Sequence, residues 1–185
     1  MVDLTASTQS DLAELVNSSV AKSGEVIAAE FQSNGRGRLD RTFEAPPQSA
    51  LLFSFYLTSN REREYWSFIS FLAALAMREV ITENLAENIT LKWPNDILIG
   101  DKKVAGLLAQ QIGDGVIVGI GLNVAMGAEE LPVPTATSLA LAGSNNLDRN
   151  LLLSALLNRL ESIFKEWDSG SDFLENYRQI SSTLG

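Results

Sequence analysis

Four strand-like segments follow one another closely between residues 89 and 124, and they constrain the fold more than any other feature of the sequence. They cover residues 89–93, 97–99, 104–112 and 116–124. Short turn signals, Gly100-Asp101 and Gly113-Asp114-Gly115, separate the later ones. Glycine and aspartate tolerate the backbone angles of tight turns, so these segments are expected to pair as antiparallel hairpins. The sequence therefore predicts a sheet that is largely antiparallel in this region.

Helical patterns alternate with further strand segments in the rest of the chain. Thr8 followed by Asp11 is typical of a helix start, and we expect that helix to end at Gly24. The other predicted elements are strands over 26–31 and 51–57, a long loop over 33–49, and helices over 64–85, from an Asp148 cap to about 167, and over 173–180. This pattern indicates an α+β fold, with a mixed, largely antiparallel β-sheet flanked by α-helices. The length fits one domain over residues 1–185.

The residue types that the sequence lacks exclude several kinds of chemistry. There is no cysteine and no histidine, so a Ser-His-Asp triad and a thiol nucleophile are impossible, and zinc loses its commonest ligand. The formal net charge of -9 argues against a nucleic-acid partner, which needs a basic face. The sequence shows neither a signal-peptide pattern nor an apolar stretch long enough to span a bilayer. We therefore expect a cytoplasmic protein without a membrane partner.

An arginine-rich motif contrasts with this acidic composition. Gly35-Arg36-Gly37-Arg38-Leu39-Asp40-Arg41 places three arginines and two glycines in seven residues. Clustered guanidinium groups repel one another unless an anion lies among them, and glycine lets the backbone approach that anion closely. The motif indicates a loop that binds phosphate or carboxylate, although a solvated flexible turn is an alternative. It is neither a P-loop nor a dinucleotide fingerprint, because the final Gly-Lys-Ser/Thr and the third glycine are missing.

Three further motifs place polar residues or glycines at strand ends. In Lys92-Trp93-Pro94-Asn95-Asp96, proline stops the strand, so that Lys92, Asn95 and Asp96 are presented at its end. The next motif is Lys102-Lys103-Val104-Ala105-Gly106, in which the two lysines point to opposite faces of a strand. Its glycine allows a ligand or another backbone segment to approach closely. Gly119-Ile120-Gly121-Leu122-Asn123 leaves room for a flat ligand that its asparagine can contact. Each motif also has a purely structural alternative: the first is a simple turn, the second an edge strand with a bulge, and the third a twisted core strand.

In this order, the motifs resemble the catalytic domain of the biotin protein ligases. The matching residues are Ser7-Thr8, Gln32, Gly35 to Arg38 with Arg41, Lys92 to Asp96, Lys103 with Gly106, and Gly119 to Asn123, and the resemblance extends from about Thr5 to the C-terminus. It implies the fold that these ligases share with lipoate ligases and octanoyl transferases. It also implies an ATP-dependent reaction that converts biotin to biotinyl-5'-AMP with release of pyrophosphate. Biotin is then transferred to a lysine of a biotin carboxyl carrier protein domain of a biotin-dependent carboxylase, and magnesium accompanies the ATP.

The resemblance implies a role for each matching residue. Biotin would be bound by Ser7, Thr8, Gln32, Gly35, Arg36, Arg38, Lys103 and Gly106. ATP and the adenylate would be bound by Arg38, Arg41, Phe43, Lys92, Asn95, Lys103 and Asn123. The catalytic residues would be Arg36, Arg38, Lys103 and Asp96. Asp96 is the candidate for orienting or deprotonating the acceptor lysine; the alternatives are that it fixes the turn or contacts magnesium, for which no dedicated side-chain site is expected.

The sequence departs from the usual pattern of the family at one position of the arginine-rich loop. Phe43 stands where the family usually has tryptophan, so the ring over the ligand is smaller and lacks the indole donor. We expect no DNA-binding domain before Met1, and a small C-terminal β-barrel that is absent or truncated after residue 185. A lipoate ligase and a non-catalytic biotin-binding module are alternatives, whereas an octanoyl transferase would need a cysteine. The protein is expected to be a monomer or a homodimer, with a 33–49 loop that is mobile until the adenylate orders it.

Overall fold

The computed structural model describes residues 1–39 and 41–183, and it contains one mixed sheet with helices on both faces. Asp40, which belongs to the arginine-rich motif, and Leu184 and Gly185 lie outside the described residues. In chain order, the elements are β1 (Val2–Thr5), α1 (Thr8–Asn17), β2 (Val26–Gln32), β3 (Ala50–Leu57), α2 (Phe68–Asn84), β4 (Ile89–Lys92), β5 (Asp96–Ile99), β6 (Lys102–Ile112), β7 (Gly115–Asn123), α3 (Arg149–Asp168) and α4 (Leu174–Ile180).

The described strands form a seven-stranded sheet in the order β1-β2-β3-β7-β6-β5-β4. The β1–β2 pair is parallel, and the other neighbouring pairs are antiparallel. Three successive hairpins, β4–β5, β5–β6 and β6–β7, build one half of the sheet, and the turn signals at Gly100 and Gly113 predicted the last two. The predicted α+β fold with a mixed, largely antiparallel sheet is therefore confirmed.

The two faces of the sheet are packed differently. Alternate residues of β3, including Phe53 and Phe55, join a large core with α2 and α3. On the other face, Leu12 of α1 packs with Tyr56 and Ile117 in a small cluster. Because this helix is short, it covers only part of its face. The remaining area of that face is the part of the fold that positions the candidate site.

The N-terminal segment differs from the sequence-based prediction. β1 was not predicted, because its residues are mostly exposed and show no buried alternation. Thr8 does not cap α1: Ser7 is at the N-cap without a side-chain hydrogen bond, and the Thr8 hydroxyl bonds Gln32 instead. The predicted end at Gly24 is wrong, since α1 stops at Asn17 and Ser19 follows with a φ of 58°.

Smaller differences occur at other element ends. A single helix was predicted over 64–85, but the structure has a 3-10 turn over Arg63–Tyr65 and then α2 from Phe68. Proline ends β4 at Lys92 as predicted, and β5 already begins at Asp96. Asp148 caps α3 by accepting hydrogen bonds from the backbone N–H groups of Asn150 and Leu151. Over residues 1–39 and 41–183, no helix is both long and apolar enough to cross a membrane.

Candidate ligand-binding and active site

A cavity of about 400 Å³ lies on the face of the sheet that α1 only partly covers. Its floor consists of α1 and the strands β3, β6 and β7, and its roof consists of residues 36–39 and 41–43. It brings together many of the residues that the sequence predicted for the site. The predicted residues that line it are Ser7, Thr8, Gln32, Arg36, Arg38, Arg41, Phe43, Lys92, Asn95, Asp96, Lys103 and Gly106.

A chain of buried and partly buried hydrogen bonds organises one end of the floor. Gln32 accepts hydrogen bonds through Oε1 from the backbone N–H of Thr8 at 2.8 Å and from its hydroxyl at 3.0 Å. The hydroxyls of Thr8 and Ser54 are 2.8 Å apart. Because the Thr8 hydrogen is already donated to Gln32, the Ser54 hydroxyl is the donor in this contact. The network fixes the Gln32 amide oxygen inward, next to α1.

Two polar floor residues, Gln9 and Ser54, were not predicted from the sequence. Gln9 is 3% exposed, and its Nε2 has no hydrogen-bond partner among the described residues. Its Oε1 would lie 2.5 Å from a Cβ built on Gly119, so the missing side chain of Gly119 makes room for this amide. Gln9 directly follows Ser7-Thr8, which the resemblance assigns to biotin, but Gln9 itself was considered only as part of the predicted helix. Ser54 is fully buried in β3, where nothing local distinguishes it from a core serine.

The roof carries the arginines across the mouth of the cavity. Arg36 donates to Oε1 of Gln110 at 3.4 Å, and Arg38 donates to Oδ1 of Asn95 at 3.5 Å. Gly35 is buried and does not line the cavity. A Cβ at that position would meet the Phe43 carbonyl oxygen at 2.4 Å. In this structure, the glycine lets two parts of the roof lie close together.

Lys103 and Asp96 form an ion pair inside the cavity. The Nζ of Lys103 lies 2.7 Å from Oδ1 of Asp96, and both side chains are partly exposed. A Cβ on Gly106 would lie 3.1 Å from the same Nζ and 3.8 Å from the carboxylate oxygen. Gly106 therefore leaves space for the ion pair, which accounts for a glycine in the middle of β6.

The glycines of β7 make room for side chains of the protein itself. A Cβ on Gly121 would lie 2.5 Å from Cζ of Phe43, so the phenyl ring rests on this strand. Asn123 does not line the cavity: its amide donates to the Thr137 carbonyl at 2.9 Å, and its Oδ1 has no partner among the described residues. The expected room for a flat ligand over this strand is therefore filled, at Gly121, by Phe43.

Positive charge dominates the cavity although the chain has a net charge of -9. Its cationic lining residues are Arg36, Arg38, Arg41, Lys92 and Lys103, and Asp96 is the one described carboxylate among them. In the described residues, no group of three or more acidic, cysteine or histidine side chains could hold a metal ion. Such a cavity can concentrate an anionic small molecule and stabilise negative charge that develops on it.

The fold and cavity thus define a class of α+β protein that binds an anionic small molecule beneath an arginine-rich loop. The family model of the biotin/lipoate A/B protein ligase family matches residues 1–126. The biotin--[acetyl-CoA-carboxylase] ligase of Mycobacterium tuberculosis is 35% identical over 190 residues, which cover 100% of this chain and 71% of that ligase. This chain belongs to the biotin/lipoate A/B protein ligase family.

Other relatives support the same assignment. The bifunctional ligase/repressor BirA of Bacillus subtilis is 31% identical over 173 residues, and the match covers 89% of this chain and 53% of BirA. The chain thus spans about half the length of that relative. The structure of the biotin protein ligase from Aquifex aeolicus in complex with biotin and ATP superposes with a TM-score of 0.84 and 29% identity, over 98% of this chain and 77% of that one.

Proposed function

We propose that this protein is an ATP-dependent biotin protein ligase. It activates biotin to biotinyl-5'-AMP with release of pyrophosphate, and it then transfers biotin to a lysine of a carrier protein. The observation that carries the proposal is the set of five cationic side chains around one cavity of an acidic chain. The Aquifex relative, whose structure contains biotin and ATP, supports the same pair of substrates.

The chemistry of activation explains the positive charge. In this step, the carboxylate of biotin attacks the α-phosphate of ATP, so two anions must meet. In a partly buried site, their repulsion is on the order of several kcal/mol. Arg36, Arg38, Arg41 and Lys103 would offset it and hold the reacting groups in place. No protein nucleophile is needed, which fits a chain without cysteine or histidine.

Magnesium fits this donor set as an ion that arrives with ATP. Mg²⁺ is usually held by one or two carboxylates together with substrate phosphates, and Asp96 is the one described carboxylate in the lining. When bound, the ion would neutralise phosphate charge. The residues of this chain would bind the phosphates around it, mainly through the arginines and Lys92.

The ring-binding end of biotin would lie at the polar floor. Ser7, Thr8 and Gln32 surround one end of the cavity, and Gln9 adds a buried amide there. Phe43 of the roof would cover the ligand, and Gly35, which does not line the cavity, would act by letting the backbone at Phe43 lie close. A biotin ureido group needs both donors and acceptors, and this floor supplies them, whereas the dithiolane ring of lipoate would leave buried polar groups unpaired.

Lys103 and Asp96 are expected to act in successive steps. Lys103 would exchange its Asp96 partner for the biotin carboxylate and the α-phosphate, with Gly106 leaving it room to move. Asp96 would then be free to orient or deprotonate the acceptor lysine. Asn95 would lie near the phosphates. The resemblance assigns Asn123 to the adenine end, but in this structure Asn123 is buried and does not line the cavity.

Pyrophosphate release tests this proposal directly. We expect the purified chain to release pyrophosphate from ATP with biotin and to release far less with lipoate. The adenylate should be detectable by mass spectrometry. Biotin binding without pyrophosphate release would instead favour a non-catalytic binding module, and pyrophosphate release with lipoate alone would favour a lipoate ligase.

The proposal also covers the domain, the protein partner, the cellular location and the oligomeric state. Residues 1–185 would form the catalytic domain, and its protein partner would be the biotin carboxyl carrier protein domain of a biotin-dependent carboxylase. The net charge of -9 favours neither a nucleic-acid nor an anionic-membrane partner. We place the protein in the cytoplasm, as a monomer or homodimer, and sedimentation of the purified chain over a range of concentrations would distinguish these two states.

A further inference from the structure

Strand β6 contains one extra residue, Val104, directly after the lysine of the candidate site. Ala105 pairs with Ile97 of β5, and the next residue of β5 pairs with Lys103. Val104 therefore has no counterpart in the described strand β5. This arrangement is a β-bulge, which interrupts the regular alternation of side chains along a strand. Val104 and Ala105 are both fully buried, and both belong to the large core that β3 forms with α2 and α3.

The bulge determines the face of the sheet to which Lys103 points. In a regular strand, Lys103 would share a face with Ala105, and its ammonium group would point into the core, where an unpaired charge is very costly. With the bulge, Lys103 shares a face with Gly106, since both line the cavity and a Cβ on Gly106 would lie 3.1 Å from Nζ of the lysine. The position of this lysine in the cavity therefore depends on the groups that hold the bulge.

A short segment beyond β7 holds the bulge on the side that β5 does not cover. The pairing of β6 with β7 begins only at Ala105. Lys103 lies before that point, and it donates its backbone N–H to the Thr135 carbonyl at 2.8 Å. Its own carbonyl accepts a hydrogen bond from the Thr137 N–H, also at 2.8 Å. We name residues 135–137, which form a parallel bridge with Lys103, the clamp segment.

Asn123, the last residue of β7, attaches the clamp segment to the sheet. Its Nδ2 donates to the Thr137 carbonyl at 2.9 Å in a buried hydrogen bond. Its backbone carbonyl accepts the Leu139 N–H at 3.0 Å. Asn123 is 5% exposed and Thr137 is 7% exposed, so loss of the amide would leave a buried carbonyl unpaired. The amide therefore holds the same residue whose N–H holds Lys103.

We propose that Asn123 is a positioning residue for Lys103. Its amide holds the clamp segment against β6, and the clamp segment stabilises the bulge that directs the lysine into the cavity. This inference depends on the ligase function proposed above, in which Lys103 offsets the negative charge of the activation step.

Positioning and a contact with adenine would use different atoms of Asn123. Positioning uses Nδ2, which is bonded to the Thr137 carbonyl. A contact with the adenine amino group would use Oδ1, which is buried and has no partner among the described residues. The two roles can therefore be separated with a nucleotide that lacks this amino group.

The test measures single-turnover pyrophosphate release, which reports activation. Asn123→Ala is compared in the unmodified chain and in a Lys103→Ala background, and with ATP and purine riboside triphosphate, which lacks the adenine amino group. Asn84→Ala is the matched control, because Nδ2 of Asn84 also donates to a backbone carbonyl at 2.9 Å, but within α2 and away from the cavity. Asn123→Leu keeps the size of the side chain and is the second variant. Thermal unfolding shows whether each variant is folded.

We expect Asn123→Ala to lower the maximal rate of activation about tenfold, because the lysine is displaced and not removed. The half-saturating ATP concentration should change less than about twofold, and the loss should be the same with purine riboside triphosphate. In the Lys103→Ala background, Asn123→Ala should have less than about a twofold effect, since no lysine remains to be positioned. Asn84→Ala should stay within about twofold of the unmodified chain. Without any ligand, amide hydrogen exchange at Lys103 and Thr137 should become about fivefold faster in Asn123→Ala.

Four results would overturn the inference. The first is a normal rate in folded Asn123→Ala and Asn123→Leu proteins. The second is an equal loss of rate in the Lys103→Ala background. The third is a loss that disappears with purine riboside triphosphate, which would assign Asn123 to adenine. The fourth is unchanged hydrogen exchange at Lys103, or unfolding of both variants, which would make the amide a requirement of the fold.

Failure of the ligase function gives a different result. Absence of pyrophosphate release in the unmodified chain would reject that function, and the catalytic part of this inference with it. Hydrogen exchange at Lys103 and Thr137 would still show whether Asn123 holds the backbone of the lysine.

Discussion

The ring of Phe43 rests on the α-carbon of Gly121, so that the roof loop and the floor strand meet at a position without a side chain. A Cβ on Gly121 would lie 2.5 Å from Cζ of Phe43, and it would approach other atoms of the same ring within 2.8 Å. Phe43 lies two residues after Arg41, the last residue of the arginine-rich motif. The contact therefore couples the position of the arginines to the surface of β7.

Gly121→Ala should push the Phe43 ring away and shift the roof without unfolding the protein. We expect the adenylate to dissociate faster, with a loss of about 1–2 kcal/mol in its binding, and little change in the melting temperature. Adenylate release can be followed by rapid dilution. In a Phe43→Ala background, the same substitution has no ring to displace, so its effect should shrink by at least about 0.5 kcal/mol. Purely additive effects would contradict the coupling.

Lys103→Ala should slow adenylate formation while leaving the fold intact. The lysine is partly exposed and forms its ion pair at the cavity wall, so its loss removes little packing. Loss of one group that stabilises charge in a transition state slows a reaction by roughly 10²–10³. Single-turnover pyrophosphate release measures this step, and circular dichroism checks the fold. A normal rate in the folded variant would refute the role of Lys103.

Asp96→Asn should separate the two half-reactions. The amide keeps the size of the side chain but cannot take the acceptor proton, so aminolysis of the adenylate by pentylamine should slow by roughly 10²-fold near neutral pH. Pyrophosphate release should change far less. If Asp96 only fixes the turn after Pro94, both half-reactions should change together, in proportion to any loss of stability.

The sequence predicted the parts of the fold that depend on local signals. The turn glycines Gly100 and Gly113 predicted the β5–β6 and β6–β7 hairpins, and Pro94 predicted the end of β4. Features that depend on distant contacts were missed. β1 is exposed and forms by pairing with β2. The Thr8 hydroxyl forms hydrogen bonds with Gln32 and Ser54, which are distant in the sequence. No local sequence pattern indicated the strand or these hydrogen bonds.

The candidate site shows the same division. The motifs located its charged groups, because clustered arginines in an acidic chain are unusual. They did not reveal that Lys103 pairs with Asp96, or that Gly119 accommodates Gln9 and Gly121 accommodates Phe43. A glycine in a strand indicates that another group lies close to its α-carbon. Only the folded structure shows whether that group is a ligand or a side chain of the protein.

Thr8→Val tests the buried network at the floor. It removes the hydroxyl between Ser54 and Gln32, and it leaves the Ser54 hydroxyl without its acceptor in a fully buried position. We expect a loss of about 1–3 kcal/mol in the free energy of unfolding and weaker biotin binding with an unchanged KM for ATP. Adding Ser54→Ala should recover part of the stability but not the biotin affinity. Equal effects on biotin and ATP would argue against a floor specific for biotin.

The 33–49 loop should become protected from trypsin when the adenylate binds. Its described hydrogen bonds to the far wall, from Arg36 to Gln110 and from Arg38 to Asn95, are long and exposed, so they hold it weakly. An anion among the arginines would remove their mutual repulsion and close the roof. Cleavage after these arginines should therefore slow about tenfold with biotinyl-5'-AMP, whereas cleavage after exposed Lys22 should not change. Equal cleavage of the loop with and without the adenylate would show that ligand binding does not order it.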